Sequence, residues 1–375
     1  MAVYRVTKDV RDENIFLNIL ITNPVTSTTN IPCAITETLQ SPILNNPSDH
    51  NLIISRISIP GDSIPIFRFL TRGYPLSTDP NEGIYSVVIS YNGFSTPPVY
   101  LEYIPQVFFP PAIPVFSATQ PQQDYNDSYY DIYSYQLLAD MVTEAIQGAL
   151  TLGASFLPAG VNAYMIYTAN TGFFSILGTQ NMYHSIVPVD PLNVQIWFNT
   201  PLATLLPAFQ YGFIGSNTPN GRDCLILVKN NLNNSPTTQD GFNPNIPTGY
   251  YQIQTEYNGD SNLQTLSRIL LTSNAFGGVV PQSELVSGTS SSYLNVIADF
   301  VPAVSVANGS YRSKFQYFSQ SEFFRRHLTS SSPLSSISLA LYWQDRTSFI
   351  HPLILYPGTF CSIQFIFEKK KLIPV

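Results

Sequence analysis

The stretch that decides the fold is Leu339 to Leu355, LALYWQDRTSFIHPLIL. It gathers Trp343, Asp345, Arg346 and His351 into a short span, so it reads either as a reactive site or as a hairpin tip. The flanks choose between the two. Upstream, Ile337, Leu339, Leu341 and Trp343 alternate with Ser338, Ala340, Tyr342 and Gln344, the period of two that a pleated strand imposes. Downstream, Cys361, Ile363, Phe365 and Phe367 fall on one face of FCSIQFIFEK. QDRTS then reads as a turn between strands, because Asp and Ser favour tight reversal. Trp343 becomes a core anchor, and His351, followed by Pro352, a strand-edge residue.

The same texture recurs near the start of the chain. Ile15, Leu17, Ile19 and Ile21 share a face in IFLNILIT, as do Ile53, Ile57 and Ile59 in NLIISRISIP, which Pro60-Gly61 ends. From Gly61 to about Gly249 the strands shorten, as in IYSVVISY and VQIWF, and Pro-rich loops such as FFPPAIPVF separate them. One helix stands out in YSYQLLADMVTEAIQGALTLG, residues 133–153, where Leu138, Met141, Val142, Ala145, Ile146 and Ala149 recur at helical spacing and Gly153 stops the run. Such a stripe is a core-packing face. Strand texture returns at about Tyr250, in LSRILLTS and YLNVIADFVP. The predicted organisation is therefore one β-domain from residues 1–62 and 250–375, with residues 63–249 inserted as a β-rich second unit containing one main helix. No internal repeat points to a solenoid or propeller.

Composition supports an all-β class and a surface that is not free. Charged residues make up 11% of 375, against roughly 25% in an average soluble domain. In their place stand 23 Tyr, 24 Phe and 30 Pro, a mixture that fits strands joined by structured loops. The net charge of -7 gives no footprint for specific nucleic-acid binding. Cys33, Cys224 and Cys361 are odd in number and widely spaced, which argues against a disulfide framework or zinc site and for a reducing assembly compartment. The N-terminus is charged where a signal peptide needs an apolar core, and no apolar run reaches the ~20 residues of a membrane span. The sequons at Asn126, Asn233 and Asn308 are then expected to stay unglycosylated.

Searching for chemistry returns little. GFIGS is not a nucleophile elbow, no Gly-rich phosphate loop occurs, and His50, His184, His327 and His351 lack metal-ligand spacing. The chain is thus expected to be no enzyme, with no catalytic residue, metal or cofactor. Asp124, Asp127 and Asp131 lie in the Tyr-rich DYNDSYYDIYSY, which reads as a solvated loop whose Tyr125, Tyr129 and Tyr130 form an outer contact surface suited to carbohydrate. Two basic clusters remain, Arg325-Arg326 and Lys369-Lys370-Lys371. Besides solvated ends, they are candidate salt-bridging contacts to a neighbouring subunit.

The C-terminal order LTSSSPLSSISLALYWQDRTSFIHPLILYPGTFCSIQFIFEKK resembles the penton, or minor capsid, proteins of virophages and polinton-like double-stranded DNA viruses. The matching pattern runs through Ser332-Pro333-Leu334, Tyr342-Trp343, Pro352-Leu353-Ile354-Leu355, Gly358 and Lys369-Lys370. NPSDHNLIISRISIP, YSYQLLADMVTEAI, LSRILLTSNAFGGVVPQSEL and LNVIADF are similar too. The resemblance implies a single jelly-roll β-sandwich with an outward-facing inserted domain. It implies a homopentamer at the icosahedral vertex of a virion assembled inside the host cell, bounded by major capsid capsomers. An alternative is a jelly-roll spike or fibre-head module whose insertion binds host glycans; a third reading is a β-sandwich hydrolase using a carboxylate pair.

Overall fold

The structure is a computed structural model that describes residues 2–8, 14–73, 75–104, 129–169, 171–184, 190–227, 249–258, 263, 265–274, 276, 282–285, 293–301, 315–318, 325–346 and 350–370. The chain divides into two compact units, one of Met1–Ile64, Thr265–Ser305 and Ser310–Val375, the other of Pro65–Gln264 and Val306–Gly309.

Among the described residues, the first unit is built on eight principal strands: β1 (Ile15–Thr22), β2 (Ala34–Thr38), β3 (His50–Ile59), β4 (Leu266–Ser273), β5 (Tyr293–Phe300), β6 (Phe315–Phe318), β7 (Ser336–Asp345) and β8 (Phe360–Lys369). They form two antiparallel sheets, ordered β1-β8-β3-β6 and β2-β7-β4-β5. Each sheet places the first-half strands beside the last-half strands, which is the interlocked double Greek key of a jelly roll. A further strand, Ala2–Lys8, extends the first sheet beyond β1. The insertion enters between β3 and β4.

Alternation drives the packing. In β1, β7 and β8 every second residue is buried. Leu17, Ile19, Ile57, Phe365 and Phe367 from one sheet meet Ile269, Leu271, Leu339, Leu341 and Trp343 from the other in a single core. Fully burying such a side chain is worth about 1.5–3 kcal/mol each. One expected face is corrected. The β3–β8 register shifts between Gln364 and Phe365, so Ile57 and Ile59 share the core with Leu52 and Ile54 while Ile53 does not. An unpaired residue at Ser55 reverses the phase, as a β-bulge does, and Ser55 Oγ donates to Gln364 Oε1 at 2.8 Å.

The decisive stretch is a hairpin. Tyr342, Trp343 and Gln344 pair with Pro352, His351 and Ile350. Trp343 is 4% exposed and stacks on the His351 ring at 4.3 Å, while His351 Nε2 lies 2.9 Å from the buried Asp345 Oδ2. The Asp345–His351 contact ties the two strands together at that end.

In the second unit, Glu82–Tyr91 is the central strand of a sheet ordered Tyr211–Phe213, Cys224–Ile226, Gln195–Phe198, Glu82–Tyr91, Phe94–Ser95. Ala163–Thr168, Phe173–Thr179 and Tyr250–Gln254 form a second sheet. Helix α1 (Tyr135–Leu152) packs its expected stripe inward, and the Ser134 side chain accepts from Leu137 N–H at its start. The expected boundary at 249/250 falls instead at 264/265, because Tyr250–Gln254 pairs with Phe173–Thr179. A strand's alternation does not say which sheet it joins. The sequence reading lacks a second, shorter helix, Thr200–Leu205, which Asn199 caps by accepting from Leu202 N–H and which has Pro201 in its first turn.

Candidate interface

The two basic clusters, far apart in sequence, meet at one corner of the jelly roll. Arg326 and His327 form a short strand opposite Leu52 and Asn51 on β3, and Glu368 and Lys369 at the end of β8 face Asn51 and His50 on its other side. The β3 strand thus brings both clusters together by hydrogen-bond register alone.

Their side chains then separate into different roles. Arg325 holds Glu368 in a two-point ion pair, Nε to Oε2 at 2.7 Å and Nη2 to Oε1 at 3.1 Å. Lys370 turns inward. Its Nζ donates to the carbonyls of Ser48 at 2.6 Å and Leu328 at 3.2 Å, and its N–H donates to Asp49 O. It therefore ties three chain segments together, which removes it from the expected set of outward contacts. Lys369 is exposed. Arg326 is half-buried, and among the described residues it has no ion pair or side-chain hydrogen bond. Burial pulls its guanidinium below the ordinary range, partly offset by nearby Asp299 and Tyr317. His327 Nδ1 sits 2.7 Å from Asn51 Oδ1, and His50 Nδ1 sits 3.2 Å from Asn46 O. Lys371 lies outside the described residues.

The expected tyrosine surface does not hold at Tyr130. Residues Tyr129–Ile132 are a strand paired with Phe67–Leu70, not a solvated loop. Tyr130 is 0% exposed, stacks face to face on Tyr103 at 3.9 Å and donates its hydroxyl to Asn81 Oδ1 at 2.8 Å. Burial pushes its phenol up to about 12. A tyrosine with its ring in apolar company and its hydroxyl satisfied is a core residue. Asp131 faces Arg68 at 3.8 Å, and Tyr125 lies outside the described residues. Among the described residues no three His, Cys, Asp or Glu side chains converge as a metal site, and no helix is long and apolar enough to cross a membrane.

Against this geometry, comparison with known proteins is decisive. The sequence model of the Sputnik minor capsid protein V18/19 family matches residues 15–369, from β1 to the end of β8. The chain belongs to this minor capsid protein family. Within it, structural protein V19 of Sputnik virophage is 29% identical over 217 residues, covering 55% of this chain and 94% of V19. Protein V18 of the same virophage is 33% identical over 113 residues, covering 30% of this chain and 66% of V18. A chain in the cryo-EM structure of the Sputnik virophage superposes with a TM-score of 0.78 at 26% identity, covering 95% of this minor capsid protein and 98% of that chain. The mavirus penton protein shares the fold, with a TM-score of 0.59 at 15% identity over 95% and 99% of the two chains.

Proposed function

We propose that this minor capsid protein is the vertex capsomer of its virion, five copies closing a ring that seals the shell against surrounding major capsid capsomers. The observation that carries this reading is the match over 95% of the chain, jelly roll and insertion together, to a chain of the Sputnik virophage particle. The low charged fraction fits, because subunits that bury the same pair of patches around a ring need little solvating charge. Its role is structural, with no catalytic step. At the basic corner, the half-buried Arg326, with the exposed Lys369 and Arg325 near it, is suited to meet carboxylates of a neighbouring capsomer, and Lys371 stays a candidate by its charge. The glycan-binding alternative is weakened by the burial of Tyr130. Native mass spectrometry of the purified chain tests the proposal: a pentamer is expected, and a trimer or a monomer at every concentration would overturn it.

A further inference from the structure

A cavity of about 130 Å³ opens at the end of the jelly roll where β8 finishes. Its lining includes the buried Pro47, Phe276, Leu328 and Leu334 and the exposed Ser332 and Ser335, and among the described residues none that lines it is charged. The apolar wall is fixed in place. Phe276 packs its ring against Phe365 and Phe367 of β8, at 5.3 and 6.1 Å. Leu334 N–H donates to Leu44 O at 2.8 Å, and its carbonyl accepts from Ile43 N–H at 2.9 Å. A preformed apolar cavity of roughly 150 Å³ takes a ring the size of benzene, so this one accommodates a single aliphatic side chain.

The chain itself brings such side chains to that place. Lys369 pairs with His50, the Lys370 N–H donates to Asp49 O at 2.8 Å, and the Lys370 ammonium holds the carbonyls of Ser48 and Leu328. Pro47–Asp49 is a single turn of 3₁₀-helix, so the backbone leaves Lys370 beside Pro47 and Leu328, both in the cavity lining. Next in sequence come Lys371, Leu372, Ile373, Pro374 and Val375, outside the described residues. Five extended residues reach roughly 17 Å, enough to pass Pro47 and turn in. Four apolar residues in succession after the charged run Glu368 to Lys371 need somewhere to bury. Pro374 lacks the N–H that a longer ladder strand would use, which suits the run to an anchor rather than to a continued strand.

We propose that this cavity is the docking site for residues Leu372 to Val375 of the same subunit, one of whose aliphatic side chains fills it and completes the jelly-roll core at that end. The Lys370 hydrogen bonds set the point from which the tail turns in, and the serines at the mouth leave room for its backbone to stay hydrated. Docking also fixes Lys371 at the basic corner, between the Lys370 pin and the anchor. The use of that fixed charge against a neighbour rests on the capsomer reading, whereas the docking itself does not.

The test compares the full-length chain with two variants, one ending at Lys370 and one carrying Leu372→Ser, Ile373→Ser and Val375→Ser together. Both are expected to melt roughly 2–6 °C lower, the loss of one buried aliphatic side chain less the cost of ordering the tail. Amide hydrogen exchange should quicken several-fold across residues 328–336 and stay unchanged in the insertion. Cysteine pairing separates docking within a subunit from exchange between subunits, because the native thiols are buried and do not compete. Ser332→Cys with Ile373→Cys in one chain should close a disulfide within that chain on mild oxidation, and a mixture of the two single variants should give no linked pair. A serine tail that melts and exchanges like the parent, a double variant that fails to link within its own chain, or links that form only between chains would each overturn the proposal, whatever the oligomeric state.

Discussion

The jelly roll and its insertion bury their cores in different ways. In the jelly roll, long strands with one face inward supply one continuous core, mostly aliphatic, in which Leu17, Ile57, Leu341 and Phe365 all belong to the same cluster. The insertion adds aromatic groups to its buried aliphatic residues. Phe67, Phe69, Tyr85, Tyr103 and Tyr130 form one aromatic group, Tyr135, Tyr167 and Phe174 a second, and Phe198, Phe209 and Tyr211 a third. Polar pins fix the parts between them. Asp223 accepts hydrogen bonds from the Thr200 and Thr218 hydroxyls and from the N–H groups of Thr200, Asn217 and Thr218, at 2.7 to 3.1 Å. The sandwich shows its core as strand alternation, whereas the insertion adds stacked rings and a buried carboxylate to its helical stripe.

If that contrast is right, the jelly roll should survive alone. Replacing residues 65–264 by a short Gly/Ser linker is expected to leave a cooperatively melting β-domain, because all the strands of both jelly-roll sheets lie outside that span. A chain that gives no cooperative transition by circular dichroism and calorimetry would mean that the two units fold as one.

Next in size is Trp343→Ala. It removes a 4%-exposed side chain from the shared core together with its stack on His351, and truncating a buried aromatic costs about 3–5 kcal/mol. The jelly-roll transition should fall sharply while the insertion's near-ultraviolet tyrosine signal persists. An unchanged melting profile would remove Trp343 from the core.

These outcomes bear on what could be read from the sequence. β1, β7 and β8 were legible because each alternates over eight or ten residues with one face inward. The fold name came from resemblance, since alternation does not give strand order. The bulge at Ser55 was not legible, because an extra residue leaves no mark in the run NLIISRISIP. In the insertion, Val87, Val88 and Ile89 are all 0% exposed, so the central strand is covered on both faces and shows no period. The corner site was half legible. Its basic residues stood out by charge, but that Lys370 turns back to Ser48 and Leu328 depends on a register between distant strands.

The polar pin of the insertion gives an acid-sensitive prediction. Burial raises the Asp223 carboxyl, but hydrogen bonds from Thr200 and Thr218 outweigh it and leave the group below its ordinary range. A carboxyl lowered on folding contributes stability that is present above its unfolded value and is lost as pH falls through the folded one. The insertion should therefore weaken below roughly pH 4, ahead of the jelly-roll core. Asp223→Asn should flatten that dependence and lower neutral-pH stability by about 1–3 kcal/mol, as its amide N–H₂ now faces N–H donors. Identical acid profiles for the two chains would detach Asp223 from the effect.

The smallest effects separate the two kinds of contact at the basic corner. Lys370→Met removes hydrogen bonds from an ammonium to two backbone carbonyls that then lack a partner, a loss of about 1.5–3 kcal/mol. Arg325→Ala breaks an ion pair whose side chains are 45% and 29% exposed, a loss of about 1 kcal/mol or less. Salt distinguishes them further. Ions screen the Arg325–Glu368 attraction, since the Debye length falls to about 3 Å at 1 M, so the Arg325 variant and the parent should converge in high salt. The Lys370 bonds reach partly buried carbonyls at short range, and the deficit of that variant should persist. If the Lys370 variant also converged with the parent in salt, its contacts would be those of a surface charge. Lys370 would then return to the set of side chains available to a neighbouring capsomer.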